Sequence, residues 1–524
     1  MPVWNLHSRD GAKAMTFIGR AKGPGHRAGE FAFVANRLDD AQLGEFVCYG
    51  AERTLLARIL ERGDYETFPN NFLNSPSHSP HEIAEVFGAE STSNVASYTI
   101  IAKVLGEFNA ENRTFKGTRR LPQVGDPIYL ANSTLLNDVL RPGKETGIIE
   151  IGTLATRDEG VGVSLDLNEI ASRHLAVLAS TGSGKSYTIG VILEELVGAQ
   201  NRGSAVLFDI HGEYKDMPLT ASFEDHFTVV RPFIKIRDLT VQDYSNIFGP
   251  DFSGKMKERL YPILKELKKQ AENFDFSDVL GKLGNDTNDA TDAAIKWRLR
   301  SLKLKSLFSR DQDTPLTLIC KPGHVSIIDL TDLDEAEARI AVGYLSWKVL
   351  RARQNYKNGK ASLDTLEFPV ILVIEEAHQF APSKEDIPSG RQLKHIAREG
   401  RKFGVGLIIA TQRPSRLDED VLSQCNSSII MKINNSSDQD SIRRGVESVS
   451  DDLISDLPSL EVGQAVICGV CTNTPALVSI KSRKTAHAGT TPDFAGECRK
   501  RYEDHAKKVE YHSRPYQPTE RNEL

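Results

Sequence analysis

Between residues 174 and 197 the chain reads HLAVLASTGSGKSYTIGVILEELV, an apolar run that meets a glycine-rich turn and then Ile189, Ile192, Leu193, Leu196 and Val197 at helical spacing. Strand, turn and helix in that order are the context in which a glycine-rich loop cradles phosphate. Gly182 and Gly184 let the backbone curl so that successive N–H groups point inward, and the helix adds the positive end of its dipole. The loop Ser180, Thr181, Ser183 and the first helical residues through Tyr187 form the predicted cradle, with Lys185 reaching the β- and γ-phosphates. Ser186 is placed to offer its hydroxyl to Mg²⁺, which takes few protein ligands. Ala179 stands where the consensus has its first glycine, at a strand end.

Such a loop needs a carboxylate at the end of a neighbouring buried strand, and FPVILVIEEAHQF supplies Glu375 and Glu376 directly after an apolar run. Glu375 is assigned to the water shell of Mg²⁺ and Glu376 to polarising an attacking water. A further run, GVGLIIATQRPSRLD, ends in Gln412 and Arg413; the amide is placed either to sense a γ-phosphate or to cap the following helix. Upstream, LKHIAREGRKFG concentrates Lys394, Arg398, Arg401 and Lys402 near a helix end, where cations also suit the dipole. The chemistry these residues describe is hydrolysis of a nucleoside triphosphate.

The elements that must position them follow from the apolar runs. His174 to Ala179, Ala205 to Asp209, Val325 to Leu330, Val370 to Ile374, Gly406 to Thr411 and Ser428 to Ile433 read as buried strands separated by helical segments. That pattern predicts an α/β core with a parallel-rich sheet covered on both faces, over about 161–484. About a hundred residues between the second and third strands exceed a simple crossover. A helical insertion is therefore expected at about 240–311, with Met256, Leu260, Ile263, Leu264 and Leu267 on one helix and Trp297, Leu299, Leu302 and Leu304 on another. Residues 1–160 are short β-rich runs broken by turns, which fits a small barrel or sandwich. Residues 485–524 are polar and read as a tail or a strap onto a neighbour.

Composition sets the outer limits. The chain has 524 residues, 40% hydrophobic and 26% charged, which excludes a disordered, collagenous or disulfide-scaffold protein and implies two or three domains. A charge of −6 excludes a global positive field for nucleic acid or anionic lipid, so any nucleic-acid contact must be a local basic lining. The longest apolar run, Phe368 to Ile374, is far short of the roughly 20 residues of a membrane span, and the N-terminus MPVWNLHSRDGAK lacks a secretory signal. No membrane association and a cytoplasmic location are the expectation. Six scattered cysteines suit reduced thiols, and Cys468 with Cys471 read as a coincidental pair in a strand.

In order, RHLAVLASTGSGKS, LFDIHGEY, VSIIDLT, VIEEAH and REGRKFGVGLIIATQRPS resemble the blocks of the HerA family, in the HerA–FtsK branch of P-loop ATPases, over about residues 145 to 480. The resemblance implies an N-terminal β-barrel, a RecA-like core and a homo-oligomeric ring of six subunits whose pore takes duplex DNA. It implies ATP and Mg²⁺ as ligands, Lys185 and Ser186 as the nucleotide-binding pair, and Glu376 as the catalytic carboxylate. Arg401 matches the family's arginine finger, reaching the γ-phosphate of the adjacent subunit, and Arg173 a second basic residue near that interface. Asp209 and Glu213 match a motif near the nucleotide without an assigned role, and strand-end or turn polarity accounts for them equally. Candidate DNA contacts are Lys384, Arg391 and Lys394, together with Lys296, Arg298, Arg300, Lys303 and Lys305, which also fit a solvated helical face. The implied function is a DNA translocase or helicase that feeds or regulates a nuclease or a sirtuin-like effector, in DNA end processing or antiphage defence. The alternative is an ATP-switched scaffold that activates such a partner.

Overall fold

The computed structural model describes residues 15–513 except 36–40, 51–53, 67–96, 110–113, 143–145, 158–159, 250–251, 284–288, 361–363 and 488–493. The N-terminal stretch read for a signal, and Pro492, Pro515 and Pro518 of the polar tail, lie outside the described residues.

Eleven strands form one sheet, in the order Phe227–Val230, Val325–Asp329, Ala205–Asp209, Val370–Ile374, Val405–Thr411, Leu175–Leu178, Ser427–Met431, Gln464–Gly469, Ala476–Ile480, Ile148–Leu154 and Gly162–Asp166. The first seven are parallel and the rest add antiparallel. Alternate residues of each parallel strand enter separate cores: Ala176, Leu178, Val206 and Phe208 one, Leu175, Val177, Ala205 and Leu207 the other. With both faces covered, these strands have no polar side to show, which is why they stand out as apolar runs. The hairpin Ile148–Leu154 and Gly162–Asp166 belongs to this sheet, so the boundary drawn at residue 160 falls inside it.

On one face lie the helices Glu335–Lys357 and Pro388–Phe403. The longer starts on Asp334, which accepts from Glu337 N while the Glu337 side chain answers to the Asp334 N–H, a reciprocal cap. Between the little parallel pair Ile234–Lys235 and Phe308–Ser309 sits the insertion, whose helices span Val241–Phe248, Gly254–Gln270, Phe276–Lys282 and Ala290–Lys303. The first long one buries Leu260, Ile263, Leu264 and Leu267. The last buries Ile295, Leu299 and Leu302, whereas Trp297 and Leu304 are 69% and 87% exposed. The expected apolar set was thus two residues off: Ile295, not Trp297, continues the inward stripe.

The N-terminal part is a closed six-strand barrel in the order Glu30–Ala35, Thr16–Pro24, Pro127–Leu130, Phe46–Tyr49, Thr54–Glu66 and Ser97–Asn109, the last pairing back to the first. Phe31, Phe33, Val47, Ile59, Ile100 and Ile128 fill it. Among the described residues, ion pairs join it to the large sheet's side: Arg58 with Asp452 at 2.6 Å and Arg157 with Glu45 at 3.0 Å. Among the described residues no helix is long and apolar enough to cross a membrane. Cys468 lies in the strand Gln464–Gly469, and Cys471 follows it; both are free and buried.

His174, buried between the helix Leu167–Arg173 and the next strand, stitches the core together. Its Nδ1 accepts from Leu407 N at 3.0 Å, so Nε2 carries the proton and donates to Ala397 O at 3.0 Å. Burial holds its pKa below 6.5 despite that carbonyl. A ring kept neutral when folded adds stability above pH 6.5 that is lost as pH falls below it, because the unfolded chain takes up the proton first. Thermal melts at pH 7.5 and 5.5 should show a drop on acidification that is smaller in His174→Gln. An equal drop in both proteins removes His174 as its source.

Candidate active site

The glycine-rich turn takes the conformation its sequence requires. Gly182 and Gly184 have φ of +77° and +107°, in the left-handed region that side chains with a Cβ disfavour. A Cβ on Gly184 would also stand 3.1 Å from Met431 Cε. Ser180 anchors the turn, donating its N–H to Lys432 O and accepting from Ser183 N at 3.2 Å and Ser183 Oγ at 2.7 Å. Thr181 and Gly182 are exposed at the rim, while Lys185 and Ser186 are buried at the start of the helix Lys185–Val197.

Parallel pairing brings the ends of the strands Leu175–Leu178, Val370–Ile374 and Val405–Thr411 to one edge of the sheet. There Lys185 Nζ lies 2.9 Å from Glu375 Oε1 and 2.8 Å from Glu376 Oε1. Burial would lower the lysine's pKa, but the two carboxylates outweigh it and raise it, so the ammonium stays charged. Glu375 Oε1 also accepts from Ser186 Oγ and Tyr214 OH, each at 3.1 Å, whereas Oε2 is buried and has no donor among the described residues. Burial raises the Glu375 pKa, with Lys185 opposing and Glu213 and Asp209 adding to it. A buried carboxylate with one free oxygen, touching the loop's serine hydroxyl, is a donor set that suits Mg²⁺ and its waters.

Glu376 is a different case. Burial would raise its pKa, yet Lys185 foremost, then His378 and Gln412, hold it below the ordinary carboxylate range. Gln412 joins the two sides of the site: its Nε2 donates to Glu376 Oε1 at 2.8 Å and its Oε1 accepts from Thr181 Oγ1. His378 Nδ1 lies 3.3 Å from Glu376 Oε2 and 3.0 Å from Thr411 Oγ1. An ionised carboxylate fixed on both oxygens beside a lysine can draw a proton from water.

The predicted residues thus fall into groups. Ser180, Thr181, Gly182, Ser183, Gly184, Lys185, Ser186, Glu375, Glu376 and Gln412 meet at one edge, while Tyr187 turns away, accepting from Arg483 N at 2.7 Å. Arg173 and Arg401 are elsewhere. Arg173 ends the helix before the strand Leu175–Leu178, and Arg401 lies in the last turn of the helix before Val405–Thr411, so both sit at the edge where strands begin. The seven residues of Val405–Thr411 put that edge roughly 20 Å from Gln412 at about 3.3 Å per residue. Arg173 pairs with Glu169 at 3.2 Å, and exposed Arg401 has no ion pair among the described residues. Of the cations read for DNA, Arg391, Lys394 and Lys305 pair with Asp386, Asp418 and Asp334, while Lys384, Arg300 and Lys303 are exposed.

Two residues of the site went unread, Tyr214 and His378. Asp209 acts on the backbone: its carboxylate accepts from the N–H groups of His211, Gly212, Glu213 and Tyr214 and so shapes the HGEY turn. That turn delivers the fully buried Tyr214 to Glu375. The signal was a tyrosine within the same motif as Asp209 and Glu213. His378 was equally visible in VIEEAH, three residues after Glu375.

Residues 149–349 match the family model described as the central domain of helicase HerA. The chain is 32% identical over 521 residues to the DNA double-strand break repair helicase HerA of Pyrococcus furiosus, covering 90% of each. Its counterpart of the same name in Saccharolobus solfataricus is 33% identical over 405 residues, which is 72% of this chain and 77% of that one. Among solved structures, VirB4 of Thermoanaerobacter pseudethanolicus is similar at 14% identity and a TM-score of 0.47, over 65% of this chain and 98% of that one. With 32% identity across 90% of a relative, and the glycine-rich loop, Lys185 and the paired glutamates gathered at one edge of the sheet, this chain belongs to the HerA family and is an ATPase.

Proposed function

We propose that the protein is an ATP-driven DNA translocase that works as a ring of identical subunits, each site completed by arginines from its neighbour. The observation that carries this is the separation within one chain: Lys185 and Glu376 lie at one edge of the sheet, Arg173 and Arg401 at the other. Those arginines cannot serve their own site, whereas a head-to-tail ring juxtaposes opposite edges of successive copies. DNA as the cargo is supported by the relatives, which are named double-strand break repair helicases.

In this reading the loop N–H groups and Lys185 hold the β- and γ-phosphates, and ATP draws the ammonium from the two glutamates it bridges. Ser186 and, through water, Glu375 would hold Mg²⁺, whose chemistry is to neutralise developing charge between the phosphates. Glu376, kept ionised, takes the proton of the attacking water, and Gln412 ties its position to Thr181 at the loop rim. Duplex DNA meets local basic groups, with Lys384, Arg300 and Lys303 as exposed candidates, since the chain as a whole is acidic. A nuclease or a sirtuin-like effector would be the partner that the ring feeds or regulates.

The test is steady-state ATP hydrolysis with and without duplex DNA, beside Lys185→Ala and a native mass. Translocation predicts about tenfold or greater stimulation by DNA in a ring-sized particle, abolished in Lys185→Ala. Hydrolysis indifferent to DNA in that same particle overturns the translocase reading in favour of an ATP-switched scaffold.

A further inference from the structure

We propose that Arg483, on the segment leaving the last C-terminal strand of the large sheet, is a positioning residue for ATP hydrolysis: it holds Tyr214 against Glu375 and so sets the carboxylate beside Lys185 and Ser186. The polar segment Lys481–His487 is strapped across the P-loop helix of its own chain. Lys481 Nζ lies 2.6 Å from Glu195 Oε1, and Ala486 N donates to Thr220 Oγ1 at 3.0 Å. Buried Glu194 is the main anchor, accepting from Lys484 N at 3.0 Å and from Thr485 N and Thr485 Oγ1 at 2.7 Å.

These bonds bring in one side chain that packing alone does not call for. The Arg483 side chain is 1% exposed, with its closest carboxylate oxygen, Glu194 Oε1, 3.9 Å away. Taking a guanidinium out of water is unfavourable unless its donors are met, and the strap itself meets them. Nε donates to Thr485 Oγ1 at 2.8 Å, Nη2 to Ala486 O at 2.8 Å, and Nη1 lies 3.1 Å from His487 Nδ1. The P-loop helix is bare at the point of contact: a Cβ on Gly190 would stand 2.6 Å from Arg483 Nε. So held, the guanidinium lies 6.0 Å over the ring of Tyr214. Asp209 fixes the other end of that residue through its N–H at 3.1 Å. The hydroxyl is then aimed at Glu375 Oε1, where it is one of three donors that fix that oxygen, while the other, buried oxygen has no donor among the described residues. A cation over the ring also makes the phenol a better donor.

The experiment measures the affinity of the full-length protein for a fluorescent ATP analogue, in EDTA and across a Mg²⁺ titration, with kcat and KM for ATP alongside. Arg483→Met should raise the Mg²⁺ concentration at half-effect about 10-fold, as loss of an outer partner of a metal ligand does, with the EDTA affinity within about twofold. Tyr214→Phe should do the same, and the double variant should be no worse than the poorer single, since both act through one hydroxyl. Arg483→Lys, which keeps a cation over the ring, should recover part of the shift. If Arg483→Met does not fold, Gly190→Ala displaces the guanidinium with the strap's other anchors intact and is read in the same way. An unshifted Mg²⁺ dependence in a folded variant, or losses that add with Tyr214→Phe, overturns the proposal. The inference rests on the site binding ATP: failure of the wild-type protein to bind the analogue removes that ground, whereas wild-type binding with an unshifted variant removes the role of Arg483 alone.

Discussion

Glu376→Gln should bind ATP and not cleave it. The carboxylate has the two properties a general base needs, charge and fixed aim. Lys185 and Gln412 each lie 2.8 Å from Oε1, and His378 stands 3.3 Å from Oε2. Its backbone is held at φ +46° and ψ +46°, a left-handed conformation that costs a non-glycine residue about 1–3 kcal/mol and persists only where the surroundings dictate it. The substituted amide keeps the size of the side chain and an oxygen for one donor, so the loop and Lys185 keep their places. Turnover should fall about 10²- to 10⁴-fold, the usual worth of a positioned base, with ATP affinity changed only a few-fold. Single-turnover hydrolysis beside equilibrium binding measures both. A loss below tenfold would leave Glu376 as a partner of Lys185 and no more.

Arg401→Ala should be nearly as inert, about 10³-fold or more below the wild type, and its rescue is the more telling result. In one chain Arg401 is separated from Glu376 by the length of the strand Val405–Thr411 and, among the described residues, has no carboxylate of its own to hold. Mixing Arg401→Ala with Lys185→Ala, each inactive alone, should restore hydrolysis. A sound P-loop from one variant then faces a sound arginine from the other at about a quarter of the interfaces of an equally mixed ring. Recovery after subunit exchange, followed by phosphate release, is the measurement. No recovery in rings shown to be mixed would mean that Arg401 does not act across the interface.

Much of this was legible in the sequence, and the rest was hidden for reasons that can be named. The parallel strands announced themselves because burial on both faces removes polar residues from them, as in Val370–Ile374. The loop and the paired glutamates followed, because their chemistry fixes their order along the chain. What could not be read was which strand lies beside which: only the sheet order sets Tyr214, from beyond Asp209, next to Glu375, and puts Arg173 and Arg401 at the far edge. Glu194 looks like one more solvated position on the P-loop helix, yet it is buried under a strap almost three hundred residues away. The segment 481–487 is polar because its own backbone N–H groups and side chains are held by the acids Glu194 and Glu195 and by the hydroxyls of Tyr187 and Thr220, not by an apolar core. Trp297 misled for a simpler reason, since a helix with apolar residues at 295, 297, 299, 302 and 304 admits two stripes, and only packing chooses between them.

The sheet order also governs when this ATPase can first exist. The strand Leu175–Leu178 pairs with Val405–Thr411 and Ser427–Met431, and His174 meets Leu407 across 233 residues of chain. At synthesis rates of about 5–20 residues per second, that strand waits on the order of 10 to 50 s on the ribosome for its first sheet neighbour. During that interval it presents two unpaired edges of the kind that other chains add to. A nascent chain halted short of residue 411 carries the whole glycine-rich loop and lacks the strand end that leads to Gln412, so the edge where Thr181, Glu376 and Gln412 meet closes only late in its manufacture.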